Sequence, residues 1–236
     1  IVDDVDADLG APAISPDGAS VVFVRESLTT PEDAPRMTLQ RYDFGTSSVV
    51  DVAPGWDRWP IDPVWLPDGS GVVVTADDDG RSPIFVLREG AEPRRLTNTN
   101  DAYTHVHVSS DGTRVLALAA SYLAAPHPVS IDLSDGTVLD LDTSIDRCPL
   151  PGTLTEIDTV VDDGARVRGW LALPEGASDA APAPLLLWVH GGPLSSWNTW
   201  SWRWNPWLMV ARGYAVLLPD PALSTGYGQE FVQRGW

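Results

Sequence analysis

The stretch Pro184-Leu185-Leu186-Leu187-Trp188-Val189-His190-Gly191-Gly192-Pro193 decides how the rest of this chain is read. An unbroken apolar run stopped by a glycine pair predicts a strand buried on both faces of a parallel sheet and closed by a sharp turn. Chemistry is usually sited at such ends. Two adjacent glycines carry no Cβ, so their backbone can turn N–H groups toward a bound oxyanion. Gly191 and Gly192 are therefore the first candidate catalytic residues.

The residues that follow extend the pattern. Residues 208–213 (LMVARG) predict a helix end with Gly213 as its stop, 214–218 (YAVLL) a second apolar strand, and Pro219-Asp220-Pro221 the break of that strand. Three motifs in order, His190-Gly191-Gly192-Pro193, then Ala211-Arg212-Gly213-Tyr214-Ala215-Val216, then Ser224-Thr225-Gly226-Tyr227-Gly228-Gln229, resemble the prolyl oligopeptidase family of serine peptidases. The likeness is to its acylaminoacyl-peptidase and dipeptidyl-peptidase branches in particular. It implies an α/β-hydrolase domain that hydrolyses short peptides by acyl-enzyme chemistry without a cofactor. It also implies that the Gly192 amide points at the reacting carbonyl oxygen, and that His190 stands where some relatives hold an oxyanion-binding tyrosine. Relatives commonly have Arg-Gly just before the serine of the third motif, where this chain has Ala222-Leu223.

Upstream, residues 10–145 repeat. Ser15-Pro16-Asp17-Gly18, Leu66-Pro67-Asp68-Gly69 and Ser109-Ser110-Asp111-Gly112 each precede a β-rich segment. Asp-Gly between extended segments predicts a hairpin of type I′, with positive φ at both central residues. Each is followed by two further strands, at 37–44 and 49–52, 83–88 and 94–96, and 128–133 and 138–141, with Gly45, Gly90 and Gly136 in the connecting turns. Four strands per period is the signature of β-propeller blades. Three blades are fewer than the four to eight of typical closed propellers, so the expectation is the last three blades of an incomplete propeller. A twelve-stranded β-sandwich is the alternative.

The fold class expected is thus propeller blades (1–148) followed by the N-terminal part of an α/β-hydrolase domain (149–236). The segment Cys148-Pro149-Leu150-Pro151-Gly152 is the boundary, and 153–161 with 166–173 form an opening hairpin. No G-x-S-x-G elbow occurs in the sequence. By the resemblance, the nucleophile, acid and base all fall beyond Trp236. The 236-residue segment alone is expected to be inactive and to need the remainder of the catalytic domain as partner.

The chain has no lysine and a formal net charge of −18, which makes nucleic acid and anionic membranes poor partners. Residues 1–148 carry 25 acids against 10 arginines and 149–236 carry 8 against 5, two regions of different character. A general acidic surface bias accounts for this more simply than a site for cationic substrates. Cys148 is the only cysteine, no apolar run is long enough to span a membrane, and the N-terminus lacks a signal-peptide pattern. A cytoplasmic location is the resulting expectation, and homo-oligomer formation is left open.

Other chemistry-bearing residues carry bland readings beside the sharp ones. Trp197, Trp200, Trp202, Trp204 and Trp207 form the densest aromatic cluster, and such rings more often pack helix and loop against a sheet than line a pocket. Trp197 and Tyr227 are kept as substrate-binding candidates. His105 and His107 alternate on one strand and, like His127, lack a third metal ligand at suitable spacing, so no metal is expected. Asp77-Asp78-Asp79-Gly80 resembles the start of a calcium loop but lacks its twelfth-position glutamate, and an acidic hairpin tip accounts for it better. Two rival functions remain: a carboxylesterase of the same fold, and a non-catalytic scaffold that binds peptides or proteins through the propeller.

Overall fold

The computed structural model of the chain describes residues 3–141 and 149–236. Cys148, and with it the start of the expected domain boundary, lies outside the described residues. Four four-stranded sheets are formed among those described. The first three are antiparallel meanders in sequence order: β1 (Ala7–Ile14), β2 (Ser20–Ser27), β3 (Met37–Asp43) and β4 (Ser48–Asp51), then β5 (Ile61–Trp65), β6 (Val72–Thr75), β7 (Ile84–Leu87) and β8 (Arg94–Arg95), then β9 (Ala102–Val108), β10 (Arg114–Ser121), β11 (Ala124–Asp132) and β12 (Val138–Asp140).

The repeated Asp-Gly turns close the first hairpin of each sheet, but not as type I′. Only the glycines have positive φ, at 72° for Gly18 and Gly69 and 69° for Gly112. Asp17, Asp68 and Asp111 instead use their carboxylates to accept the amide two residues on, from Ala19, Ser70 and Thr113. That side-chain bond fixes the turn while the aspartate keeps an ordinary φ. A second repeat was invisible in the sequence. Ala11, Asp62 and His105 adopt φ of 48°, 46° and 54°, each seven positions before the turn glycine, and each sits at a break in register between the first two strands of its sheet. The same β-bulge at the same place in three sheets identifies them as one structural unit used three times.

Alternation explains the packing. Successive strand residues point to opposite faces, so Val72 and Val74 of β6 join Val22, Leu39, Phe85 and Leu87 in one core, while Val73 joins Ile84, Val86, Val115 and Ile131 in the next. The middle sheet is thereby buried on both sides.

The fourth sheet runs β13 (Gly152–Val160), β14 (Arg166–Pro174), β16 (Ala215–Asp220), β15 (Leu185–Leu187), with β15 and β16 parallel and the other pairs antiparallel. Between the parallel strands the chain passes through α1 (Trp207–Val210). Here two sequence expectations are corrected. The run at 184–190 is not buried on both faces: β15 is the outermost strand, and Leu185, Leu187 and Val189 are 56%, 59% and 58% exposed. Nor does Pro219 end the second strand, since Gly169 of β14 still pairs with it. Pairing to β15 stops at Leu187–Leu217, so beyond that point β16 needs no donor on that side and tolerates proline.

Trp170, Ala172, Trp207, Val210, Val216 and Leu218 form the core of this sheet, with Tyr122 inserted from the β10–β11 turn. The Trp207 indole N–H donates to the Tyr122 carbonyl over 2.6 Å, joining the third sheet to the fourth. Trp207→Phe keeps an aromatic ring in the core but removes the N–H half of the indole and leaves that buried carbonyl unpaired, so a loss of at least about 1–3 kcal/mol is expected, read as a lower urea midpoint. An unchanged midpoint would mean that the bond carries no weight at this joint. No helix among the described residues is long and apolar enough to cross a membrane.

Candidate functional site

The end of β15 opens into a groove of about 480 Å³ whose walls include Trp188, Val189, His190, Gly191, Trp197 and Trp204. Among the described residues nothing accepts a hydrogen bond from the amide of Gly191 or Gly192. Gly192 has φ of 134°, and a Cβ there would lie 3.0 Å from the Leu194 nitrogen, so both conformation and space require glycine. Gly191 has open space where its Cβ would be. The imidazole of His190 is enclosed: Nε2 is 2.7 Å from the Ser224 hydroxyl, and the ring meets the Trp197 indole edge-on at 6.2 Å.

Trp197 is locked as a wall of the groove. Its indole N–H donates to the Trp188 carbonyl at 3.0 Å and its backbone N–H to Asp220 Oδ1 at 2.8 Å. The rest of the tryptophan cluster divides: Trp207 is core, Trp200 packs against it, and Trp202 and Trp204 are 71% and 52% exposed. Tyr227 is not brought to the groove. Its hydroxyl donates to Asp220 Oδ2 at 2.6 Å, its ring rests on Phe231, and it borders a separate hollow beside Arg166 and Arg234.

Beneath the groove lies a charged cluster that the sequence reading missed. Asp220, at the end of β16, is fully buried and accepts from the Trp197 amide, the Ser196 hydroxyl and the Tyr227 hydroxyl. Burial pushes its carboxyl pKa up, against the opposing pull of these donors and of Arg168. Arg168, 1% exposed, stacks on Trp170 at 4.0 Å, donates from Nε to Glu156 Oε1 at 2.5 Å and holds Nη1 3.6 Å from Asp220 Oδ2. Glu156 also receives a two-pronged bond from Arg81, and chiefly that bond holds its carboxyl down at about 2.

Arg81 belongs to the β6–β7 hairpin tip, the acidic stretch at 77–80. It is a hairpin tip, yet each of its carboxylates has side-chain partners: Asp77 and Asp79 reach residues of the fourth sheet and its loops, while Asp78 is held within the repeated sheets and Asp79 stays half-exposed. Asp77 accepts from Thr225 Oγ1 at 2.5 Å and Asn198 Nδ2 at 2.7 Å, Asp78 from Arg58 and Arg95, and Asp79 from Arg166 at 2.8 Å. Gly80 lies so close to the Arg168 guanidinium that a Cβ would overlap it. His105 and His107 are exposed on β9, and His127 lies 3.5 Å from Asp140. Among the described residues no three histidine, cysteine or carboxylate side chains are grouped to hold a metal ion.

Known proteins resemble the chain along nearly all of its length. The chain is 29% identical over 246 residues to a probable dipeptidyl-peptidase 5 of Emericella nidulans, and 30% identical over 250 residues to the dipeptidyl-peptidase 5 of Aspergillus oryzae. Each match takes in 98% of this chain but only 34% and 33% of the relative, so the chain spans about a third of the length of the curated relatives it matches. Among solved structures, an acylaminoacyl peptidase in complex with Z-Gly-Gly-Phe-chloromethyl ketone superposes with a TM-score of 0.75 at 18% identity, over 99% of this chain and 35% of that one. The uncomplexed acylaminoacyl peptidase of Pyrococcus horikoshii gives 0.70 at 19% identity, over 92% of this chain and 33% of that one. No protein-family model matches.

Proposed function

We propose, from the premise that this chain belongs with the peptidases of the prolyl oligopeptidase family, that it supplies the oxyanion side of a serine peptidase active site. In this reading residues 149–236 open an α/β-hydrolase domain, and the three repeated sheets at 1–148 are propeller blades that screen it. The observation that carries the reading is the pair of free amides at Gly191, which lines the aromatic groove, and at Gly192 next to it.

The chemistry needs a serine from outside these 236 residues, since no G-x-S-x-G is present. That serine adds to the peptide carbonyl, the carbonyl oxygen takes up the negative charge, and the Gly192 and Gly191 amides donate to it. Collapse expels the amine and leaves an acyl-enzyme, and water then releases the acid through a second tetrahedral species held by the same amides. Trp197 forms a wall beside the bound peptide. His190, with Nε2 bonded to Ser224, anchors the loop that carries the glycines.

The partner of the exposed edge of β15 is then the remainder of the catalytic domain, pairing on the uncovered side of the strand. The substrate is a short peptide, because blades that screen the groove would exclude folded protein. A fluorophosphonate probe tests the assignment: the full-length protein is expected to be labelled on a single serine and to cleave a dipeptidyl anilide, while residues 1–236 alone take no label. Labelling with ester cleavage and no amide cleavage would favour the carboxylesterase. Absence of label on the full-length protein would leave the non-catalytic scaffold.

A further inference from the structure

One carboxylate from the repeated sheets grips both loops that flank the groove. Asp77 lies two residues past the end of the β6 core strand, and its two oxygens are divided between Asn198, next to the groove wall Trp197, and Thr225, next to the Ser224 that bonds His190. The two loops are themselves tied by the Thr225 amide donating to the Ser195 carbonyl at 2.9 Å. The Asp79 amide adds a bond to the Gly226 carbonyl at 3.1 Å. Contact is so close that a Cβ on Gly226 would come within 2.8 Å of the backbone at Asp77 and Asp78.

We propose that Asp77 is a positioning residue for the oxyanion loop, acting from the second repeated sheet through Asn198 and Thr225 to fix Trp197, Ser224 and His190. Thr225 and Asn198 each present one donor at separations suited to a single carboxylate, which gives that side chain two bonds in fixed directions. Removing it frees both loops at once, and with them the path Thr225, Ser224, His190, Gly191. Burial pushes the Asp77 carboxyl pKa up, against the Thr225, Ser82 and Asn198 donors and with the nearby Asp220 charge. A partly buried carboxylate whose desolvation is offset by donors from two loops fits a geometric constraint at their junction.

The inference rests on the peptidase reading for its kinetic arm alone, and hydrogen exchange tests it without turnover. In the full-length protein, Asp77→Ala is expected to speed amide exchange in 188–198 and 224–228 while β6, β7, β14 and β16 stay protected. It should lower kcat on the order of 10- to 100-fold with KM little changed, as expected when the reacting groups are misplaced while the substrate is still held. Asp77→Asn should recover most of that loss, because its carbonyl can accept from Asn198 and its amide can donate to the Thr225 hydroxyl. Unchanged exchange in both loops, or exchange raised equally in every sheet, overturns the proposal. If the wild-type protein neither labels nor turns over, the peptidase reading falls and the exchange pattern still decides the role of Asp77.

Discussion

Arg168→Met is expected to destabilise the full-length protein by about 3–5 kcal/mol, the range for removing one partner of a buried ion pair. Methionine fills much of the space over Trp170, so the loss is electrostatic. Asp220 keeps its neutral donors from Trp197, Ser196 and Tyr227 but loses the cation 3.6 Å away, and Glu156 keeps only Arg81. The dependence on pH separates this cause from lost packing. Asp220 has a folded pKa raised above its unfolded value by burial, and Arg168 pulls it down. Without Arg168 it rises further. A carboxyl with a raised folded pKa stabilises the fold when protonated, and that contribution is lost as pH rises through the folded pKa. The gap in urea midpoint between wild type and variant should therefore be wider at pH 8 than at pH 5. Glu156 does not blur the comparison. Its folded pKa is depressed to about 2, so what it contributes is fully present above its unfolded value of 4.5 and is lost only as pH falls toward 2. A gap that is flat in pH, or that widens on acidification, would remove Asp220 from the account.

That cluster also marks the limit of what sequence periodicity reveals. The Asp-Gly turns and the strands after them are visible because each side chain states its own local requirement, and the structure returns the three meanders where the pattern places them. The bulges at Ala11, Asp62 and His105 are not visible, since the three positions share no residue type and alanine carries no preference for positive φ. The long-range interactions of the acidic tip were also hidden. Read alone, three aspartates and a glycine are a solvated hairpin; their partners Thr225, Asn198 and Arg166 lie 87 to 148 residues later. One signal was present and unused. Arg168 shares the period-two face of Trp170 and Ala172, which is the buried face of β14, and an arginine in phase with a core face requires a buried acid opposite. The apolar run at 184–190 failed in the opposite way. Hydrophobicity records what a strand is built to touch, and β15 has a neighbour on one side only among the described residues.

Gly192→Ala in the full-length protein is expected to reduce kcat on the order of 10²- to 10³-fold, the range for losing one oxyanion donor. The amide itself survives the substitution, so the effect works through conformation. At φ of 134° a side chain is held in a region that costs about 1–3 kcal/mol, and the added Cβ would stand 3.0 Å from the Leu194 nitrogen and 3.3 Å from its carbonyl oxygen. The loop relieves that contact by rotating, which changes the direction in which the N–H points. Gly191 provides the control. A Cβ there meets nothing within 4 Å and its φ is not positive, so Gly191→Ala should retain activity within a few-fold. KM for a short peptide should hardly move in either variant, because the amides bind the oxygen more tightly after it becomes charged than before. If the two alanine variants lose activity equally, or if Gly192→Ala raises KM at constant kcat, the amide at Gly192 is not the oxyanion donor. The groove would then serve substrate binding alone, and the donors would have to be sought elsewhere in the protein.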